Sequence, residues 1–374
     1  MALCRRRSGW LRRSLTCAIG ATLLYFVYRF NVAFKVNGNE NPSLNDHRLS
    51  PDNENSDDDL IRIFVSRLSS LPCVNSTCHA KFSPSPEVRL RQILATRTYA
   101  YDLYRSAVTS INEKVSFHKY ILVSAVSDNH YNEMQALVKS LINDLFPRLD
   151  NYTFVLFDLG LTAEQRQKTE RNCKCTVVDF PFDKLPSFFK GLKCYTWKPF
   201  IIRSLIEKSE FLIWMDTSIR WNPAAPLAPL FKRAKEQGLQ VWGNSAAMSL
   251  RTAVSMFDFY GEKTCQYSRF TEVESGLTFY HNQRFVREAI LDSWVSCALD
   301  ERCMCVKDYK KLLVCYYSPP RRDNGCHRFD QSSLGIIITK LYGEQRGMVW
   351  FPYRPHSVFR GQEADWFNGG VVPS

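Results

Sequence analysis

The segment from Phe211 to Trp221, FLIWMDTSIRW, constrains the fold more than any other part of this chain. Its first five residues are apolar and run into Asp216, after which two hydroxyl residues and Arg220 follow. A short apolar run of this kind predicts a buried β-strand. Open α/β sheets bind ligands at the carboxyl ends of their strands, where a buried carboxylate is unfavourable unless it is paired or binds a metal. Asp216 is therefore either a ligand for a hard cation or a capped structural acid.

Predicted strands and helices alternate ahead of this segment. Three further apolar runs predict β-strands, and each is followed by a helical pattern. The strands are predicted at 120–125, 152–160 and 173–180, and the helices at 131–146, 161–172 and 198–208. This order predicts an α/β fold with a mostly parallel central sheet, covered on both faces and joined by right-handed crossovers.

The N-terminal region predicts a membrane anchor. Residues 1–14 carry five arginines, and the next fourteen residues are uncharged up to Arg29. If Arg29 reaches the membrane boundary, residues 15–34 supply the roughly 20 positions that a spanning helix needs. The arginines place the tail 1–14 in the cytosol and the remainder in the lumen. A cleaved signal peptide is the main alternative, and the poor cleavage site before Lys35 disfavours it.

The rest of the chain divides into three predicted parts. Residues 35–86 are polar and rich in Asn, Asp and Ser, which predicts a flexible stem. Residues 87–118 have apolar positions at helical spacing and predict a helical neck. Residues 119–374 form the α/β domain. The net charge is +12, and no Lys/Arg tract lies beyond the N-terminus. The absence of such a tract argues against nucleic-acid binding, and the positive charge is compatible with an anionic substrate such as a diphosphate.

Cysteines and sequons indicate an oxidising compartment. The chain has 13 cysteines, and Asn75 and Asn151 begin Asn-x-Thr glycosylation sequons. Cys73 and Cys78 enclose a short loop and are candidates for a bridge. Five further cysteines cluster with a histidine, namely Cys297, Cys303, Cys305, Cys315 and Cys326 with His327. Zinc is the alternative for this cluster, but it has no Cys-x-x-Cys pair, so disulfides are favoured, with neighbouring cysteines bridging to different partners.

Two later stretches carry candidate site residues. Glu274 opens the sequence ESG ahead of the apolar run LTFY, and it is either a general base or a solvated loop residue. Asp330 and Gln331 precede LGIIITKLY, a predicted buried helix that Asp330 would cap. Lys198 begins the helix before the central strand, where a helix N-terminus favours anions.

The order of these motifs resembles the nucleotide-sugar-binding half of glycosyltransferases with the A-type, Rossmann-like fold. The arrangement SLINDLFP…VLFDLGLT is similar to glycogenin-like and galactinol-synthase-like enzymes. WKPF, WMDTSIR and HRFDQS resemble most closely an uncharacterised animal family of type II membrane proteins that is abundant in nematodes. The resemblance covers residues 119–360 and makes 119–374 a glycosyltransferase-like catalytic domain.

This resemblance implies a metal site at the end of the central strand. In such enzymes the strand ends in Asp-x-Asp, and the acids hold Mn²⁺ or Mg²⁺, which bridges the nucleotide diphosphate. Here Ser218 replaces the second acid, so the metal role falls to Asp216, with Ser218 orienting a water. A structural or sugar-contacting role is the alternative for Asp216. His356 would complete the coordination shell of the metal, and Arg360 would bind the diphosphate.

The remaining candidates receive roles on the sugar and phosphate. The resemblance implies that Asp330 and Gln331 reach the donor sugar and that Lys198 meets a phosphate. Asp330 and Glu274 are the catalytic candidates, and Glu274 would act as a base or bind acceptor hydroxyls.

The expected function is that of a membrane-anchored glycosyltransferase of the Golgi or the endoplasmic reticulum. It would transfer a sugar from a nucleotide-sugar donor, for which a UDP-sugar is favoured, to a hydroxyl of a glycan or glycoprotein. It would contact the lipid bilayer through residues 15–34. The alternative is an inactive lumenal binding or scaffold protein that keeps the fold, which the missing second acid supports. A lumenal sulfotransferase is disfavoured because SAVSDNHYNE has no phosphate-cradling glycine after the first strand.

Overall fold

The computed structural model describes residues 53–66, 82–97, 101–315, 322–362 and 364–369. The strands are β1 (His118–Val126), β2 (Tyr152–Asp158), β3 (Thr176–Asp179), β4 (Ser209–Met215), β5 (Ile219–Trp221), β6 (Leu239–Ala247), β7 (Thr271–His281) and β8 (His356–Val358). The α-helices are α1 (Asn53–Val65), α2 (Pro86–Leu94), α3 (Tyr101–Asn112), α4 (Tyr131–Ser140), α5 (Ala163–Asn172), α6 (Trp197–Leu205), α7 (Ala228–Gln237), α8 (Val254–Phe259), α9 (Asp292–Leu299), α10 (Phe329–Tyr342) and α11 (Trp366–Gly369).

Six strands form one sheet in the order β3-β2-β1-β4-β7-β6. Strands β1 to β4 run parallel, and β7 runs antiparallel to both of its neighbours. The short strands β5 and β8 pair antiparallel beside this sheet. The predicted α/β fold with a mostly parallel central sheet is therefore confirmed.

Strand β4 lies in the middle of the sheet because both of its faces are apolar. Leu212 and Trp214 belong to one hydrophobic core, whereas Phe211, Ile213 and Met215 belong to the other. Side chains alternate between the two faces of a strand, so a continuous apolar run is what a strand covered on both sides requires. The observed strand begins at Ser209 and ends directly before Asp216.

Of the two helices α5 and α10, only α5 begins with a side-chain cap. Thr162 caps α5, and its capping-box partner is Gln165. Helix α10 is buried along its whole length. Its N-cap is Arg328, so Asp330 lies within the first turn and the prediction that Asp330 caps this helix was wrong. An acid in the first turn of a helix is still favoured by the helix dipole.

The segment predicted as a flexible stem contains helix α1. Leu60, Ile61 and Phe64 on this helix are buried in the hydrophobic core, so the prediction was wrong for this part of residues 35–86. The many Asn and Asp residues concealed the apolar positions, whose helical spacing lets them face one side. The predicted neck 87–118 is built as two helices, α2 and α3, rather than one.

Several predictions concern parts of the chain outside the described residues. These are the anchor at 15–34, the tail 1–14, the Cys73–Cys78 bridge and the sequon at Asn75. Among the residues that the structure does describe, no helix is both long and apolar enough to cross a bilayer. The sequon residue Asn151 is exposed and lies directly before β2.

Disulfides account for the cysteine cluster near the C-terminus. The bridges are Cys173–Cys175, Cys194–Cys305, Cys297–Cys303 and Cys315–Cys326. The zinc alternative is therefore wrong, and the prediction that Cys303 and Cys305 bridge to different partners is confirmed. The Cys194–Cys305 bridge links the turn before α6 to a distant part of the chain. It therefore restrains the segment that leads into Lys198.

Candidate functional site

The crevice between β1 and β4 is where the sheet topology favours ligand binding. The chain leaves β1 toward β2 on one side and returns to β4 on the other. In open α/β sheets, ligands bind outside the carboxyl ends of the strands at such a switch point. Asp216 directly follows β4, and its backbone N–H donates to the carbonyl oxygen of Gly276, 2.8 Å away. The central strand therefore presents its carboxylate at the predicted position.

Three charged side chains meet at this position. The Lys198 Nζ lies 2.9 Å from Asp216 Oδ1 and 2.8 Å from Asp330 Oδ2. The Lys198 side chain is 2% exposed and that of Asp330 is 6% exposed, whereas that of Asp216 is 35% exposed. We call Lys198, Asp216 and Asp330 the carboxylate–lysine cluster. It carries one net negative charge, and Asp216 is its most accessible member.

Lys198 stays protonated although it is buried. Burial by itself lowers the pKa of the ammonium group, but Asp216 and Asp330 outweigh this effect and raise the pKa above its ordinary value. This role was missed in the sequence, where Lys198 was predicted to meet a phosphate. Its ammonium group is buried against two carboxylates, so the structure favours a part in positioning the acids over a direct contact with phosphate.

Both acids are fixed by further hydrogen bonds. The Trp214 Nε1 donates to Asp216 Oδ1 over 2.8 Å, and the Ser275 Oγ donates to Asp330 Oδ2 over 2.6 Å. A side chain at Gly276 would place its Cβ 3.3 Å from Asp216 Oδ2, so glycine leaves room at the second oxygen of Asp216. These contacts hold the two carboxylates in one orientation before any ligand arrives.

Gln331, the neighbour of Asp330, belongs to a second polar group. Its Nε2 donates to Glu272 Oε1 over 2.9 Å. The other oxygen of Glu272 accepts from Arg251 at 2.8 Å and from Asn244 at 3.0 Å. Gln331 is thus held by Glu272 of β7, which forms a buried ion pair with Arg251. The sequence did not single out this ion pair. The only signal was a second glutamate two residues before Glu274, on the same strand.

Glu274 lies on β7 among basic side chains. Its carboxylate is 3.4 Å from Arg354, and its side chain is 24% exposed. Burial raises the pKa of Glu274, and the positive charges of Arg354 and Arg360 oppose this increase. Arg360 itself is exposed. A carboxylate with a raised pKa beside a partly open site is chemically suited to accept a proton.

His356 is a buried, neutral imidazole. It lies on β8 opposite Trp221 of β5. Burial lowers the pKa of His356 to about 4, and the Nδ1 atom has no hydrogen-bond partner. Such a nitrogen and the carboxylate of Asp216 are the donor types that Mn²⁺ accepts. Within the described ranges, no three residues among His, Cys, Asp and Glu are grouped to hold a metal. No contact joins His356 to Asp216 in this part of the chain, because His356 pairs with Trp221 whereas Phe359 contacts Ser218. That the two residues share one metal ion stays a prediction from the sequence.

The turn after β4 is tied to the segment that carries His356. The backbone oxygen of Ser218 accepts from Phe359 N over 2.9 Å, and Ser218 itself is buried. That Ser218 orients a water on a metal stays a prediction from the sequence.

Glu133, in the first turn of α4, anchors both segments. Its carboxylate accepts from Thr217 Oγ1, from Gly361 N at 2.9 Å and from His130 Nδ1 at 3.2 Å. Burial alone would raise the pKa of Glu133, but these hydrogen bonds lower it to about 2. The same contact raises the pKa of His130. The sequence does not indicate this group, because only the fold brings the three segments together.

Residues 101–203 match the family described as "Protein of unknown function (DUF1647)". No curated protein matches this chain.

Solved structures similar to this chain include three transferases. A galactosyltransferase, LgtC, in complex with donor and acceptor sugar analogs is 14% identical over 59% of this chain and 70% of its own, with a TM-score of 0.33. Core-mannan synthase A from Aspergillus fumigatus, in its Mn/GDP form, is 10% identical over 62% of this chain and 72% of its own, with a TM-score of 0.36. Mouse xyloside xylosyltransferase 1 is 10% identical over 63% of this chain and 84% of its own, with a TM-score of 0.35. These TM-scores are low, and the α/β fold class therefore rests on the sheet topology described above.

Proposed function

We propose that this protein is a glycosyltransferase of the A-type fold that transfers a sugar from a nucleotide-sugar donor to an acceptor hydroxyl, with a UDP-sugar as the favoured donor. The observation that carries the proposal is the carboxylate–lysine cluster at the switch point of the sheet. Two carboxylates fixed on a buried ammonium can accept hydrogen bonds from sugar hydroxyls, and they are preorganised for this task. Glycan or glycoprotein hydroxyls are the acceptors that the proposal names.

Each member of the cluster has a distinct task in this proposal. Asp216 faces the crevice and contacts the donor. Asp330, held by Ser275, binds the sugar, and Lys198 keeps the two like-charged acids together. Without the ammonium group one acid would protonate, because two nearby carboxylates do not both stay ionised easily. Gln331 extends the polar wall next to Asp330.

The reaction itself is a substitution at the anomeric carbon. An acceptor hydroxyl attacks this carbon, the bond to the diphosphate oxygen breaks, and the hydroxyl proton passes to the carboxylate of Glu274. Arg360 contributes positive charge at the departing diphosphate. Asp216 and His356 would hold Mn²⁺ or Mg²⁺ with phosphate oxygens and waters; when bound, the ion neutralises charge on the diphosphate.

We also propose that the protein is anchored in the Golgi or endoplasmic reticulum membrane by residues 15–34, with the catalytic domain in the lumen. The uncharged run, the preceding arginines, the exposed sequon at Asn151 and the four described disulfides support this location.

An inactive lumenal binding protein is the second candidate. Two observations favour it: Ser218 stands where a second acid is expected, and Lys198 already neutralises part of the charge on Asp216. A scaffold of this kind would keep the cluster for stability and would turn over no donor.

Donor hydrolysis separates the two candidates. The purified protein is incubated with a panel of nucleotide sugars and Mn²⁺, and released nucleoside diphosphate is measured for wild type, Asp330→Ala and the control Asp150→Ala. Asp150 is exposed ahead of the amino end of β2, whereas the site lies at the carboxyl ends of the parallel strands. Alanine is chosen because asparagine at 330 would create an Asn-Gln-Ser sequon. Hydrolysis by wild type and the control, with loss in Asp330→Ala, supports the transferase; no hydrolysis of any donor supports the scaffold.

A further inference from the structure

Tyr195 adopts a backbone conformation that a tyrosine rarely adopts. It has φ 56° and ψ 20°, in the left-handed region, between the turn Leu192–Cys194 and helix α6. Non-glycine residues in this region carry strain of about 1 kcal/mol or more, and such strain concentrates at functional sites. Glycine would satisfy the turn without strain, so the turn itself does not explain a tyrosine here.

A second residue in the left-handed region also adjoins the carboxylate–lysine cluster. Phe329 has φ 47° and directly precedes Asp330. The rings of Tyr195 and Phe329 are neighbours, with centroids 6.1 Å apart. The Tyr195 carbonyl also accepts from Lys198 N over 3.1 Å. The two unusual conformations therefore adjoin the two buried members of the cluster.

The Tyr195 ring is only partly covered by these contacts. It packs beside Trp197, with centroids 5.8 Å apart, and the Lys198 Nζ lies 5.5 Å from its centroid. The residue is nevertheless 38% exposed. A residue whose role was core packing alone would be covered, since aromatic rings contribute stability through the area they bury.

An exposed aromatic ring next to two fixed carboxylates fits one class of ligand well. A pyranose has an apolar face of C–H groups and an edge of hydroxyl donors. The ring of Tyr195 offers an apolar surface, and Asp216 and Asp330 offer acceptors beside it. A nucleobase would also stack on a tyrosine, but it has few donors for two carboxylates.

We propose that Tyr195 is a substrate-contacting residue whose exposed ring packs against the apolar face of a pyranose held by Asp216 and Asp330. The pyranose belongs either to the donor or to the acceptor. This inference rests on the proposed function and names the surface of the site that selects a sugar.

The test compares ligand binding by wild type, Tyr195→Gly and Tyr195→Phe. Glycine removes the ring and also the backbone strain, so the variant is expected to fold. Lys174→Gly is the matched control, because Lys174 has φ 51° in the turn before β3 and its exchange relieves similar strain. In the presence of Mn²⁺, the full-length protein is titrated separately with UDP and with a panel of UDP-sugars. A panel of methyl pyranosides is titrated in the presence of both Mn²⁺ and UDP.

Tyr195→Gly should weaken binding of either the UDP-sugar or the methyl pyranoside about tenfold and leave UDP affinity unchanged. The weakened probe identifies the pyranose as that of the donor or the acceptor. Tyr195→Phe and Lys174→Gly should match wild type within about threefold. If Tyr195→Gly weakens UDP binding and UDP-sugar binding equally, or if it weakens the binding of neither sugar probe, the inference about Tyr195 is wrong and the proposed function is unaffected. If wild type binds none of the probes, the proposed function itself fails.

Discussion

Lys198→Met should destabilise the folded protein in a manner that depends on pH. The ammonium lies within hydrogen-bond distance of both Asp216 and Asp330, so the two carboxylates lie within about 6 Å of each other, where like charges repel by about 3 kcal/mol at an effective dielectric constant of 20. Methionine fills a similar volume but leaves this repulsion uncompensated. Removing one partner of a buried ion pair typically lowers stability by about 3–5 kcal/mol. Because Asp216 is partly exposed, we expect a loss near the lower end of this range at pH 7.

Urea unfolding followed by tryptophan fluorescence measures this loss. At pH 4.5 one carboxyl group of the variant should hold a proton, since the uncompensated charge raises carboxyl pKa values. The difference in the free energy of unfolding between variant and wild type should therefore shrink as the pH falls. Lys119→Met is the matched control, because Lys119 forms an exposed ion pair with Asp150, and it should show no measurable change. A Lys198→Met variant within about 1 kcal/mol of wild type at pH 7, or a deficit that grows toward acid, would refute the reasoning.

Three further predictions follow from other contacts. Ser275→Ala removes a hydrogen bond to the buried Asp330 and should lower the free energy of unfolding by about 1–3 kcal/mol, measured by urea unfolding; an unchanged midpoint would contradict the contact. Glu133 has its pKa lowered from 4.5 to about 2, so its stabilisation of about 3 kcal/mol is present above pH 4.5 and is lost as the pH falls toward 2. Glu133→Gln should therefore give a shallower acid dependence of stability between these values, and an unaltered slope would exclude this role. His356→Gln should reduce the gain in UDP affinity that Mn²⁺ provides by at least about tenfold in calorimetric titration, and an equal gain in both proteins would remove His356 from the metal shell.

The central strand and its acid could be predicted because their signal is local. An apolar run of strand length followed by Asp216 identifies both the element and its carboxyl end. The alternation of strands and helices then predicts the sheet class. The order of the strands, with β7 and β6 beyond β4, does not follow from these patterns, because it depends on how distant segments pair.

The carboxylate–lysine cluster shows the same limit at the level of the site. Lys198, Asp216 and Asp330 were each singled out, yet their mutual contact depends on three elements that are far apart in sequence. Lys198 was consequently predicted to meet a phosphate at a helix N-terminus, whereas it is buried. Glu133 was missed for the same reason, since its partners come from the turn after β4 and from the segment near Gly361.

Helix α1 illustrates how composition misleads. The polar residues of the segment 35–86 predicted a stem, but three apolar side chains of α1 are buried. The average composition of a long segment conceals a short amphipathic helix, because only one face of such a helix needs to be apolar.

The measurement that tests the central claim most directly is a calorimetric titration of the full-length protein with UDP, with and without Mn²⁺, for wild type and Asp216→Ala. Alanine is preferred because asparagine at 216 would create an Asn-Thr-Ser sequon. The proposed function predicts that wild type binds UDP more tightly with Mn²⁺ and that Asp216→Ala loses this increase while remaining folded. Equal binding by both proteins, or no binding by wild type, would contradict a nucleotide-sugar site at the carboxyl end of β4.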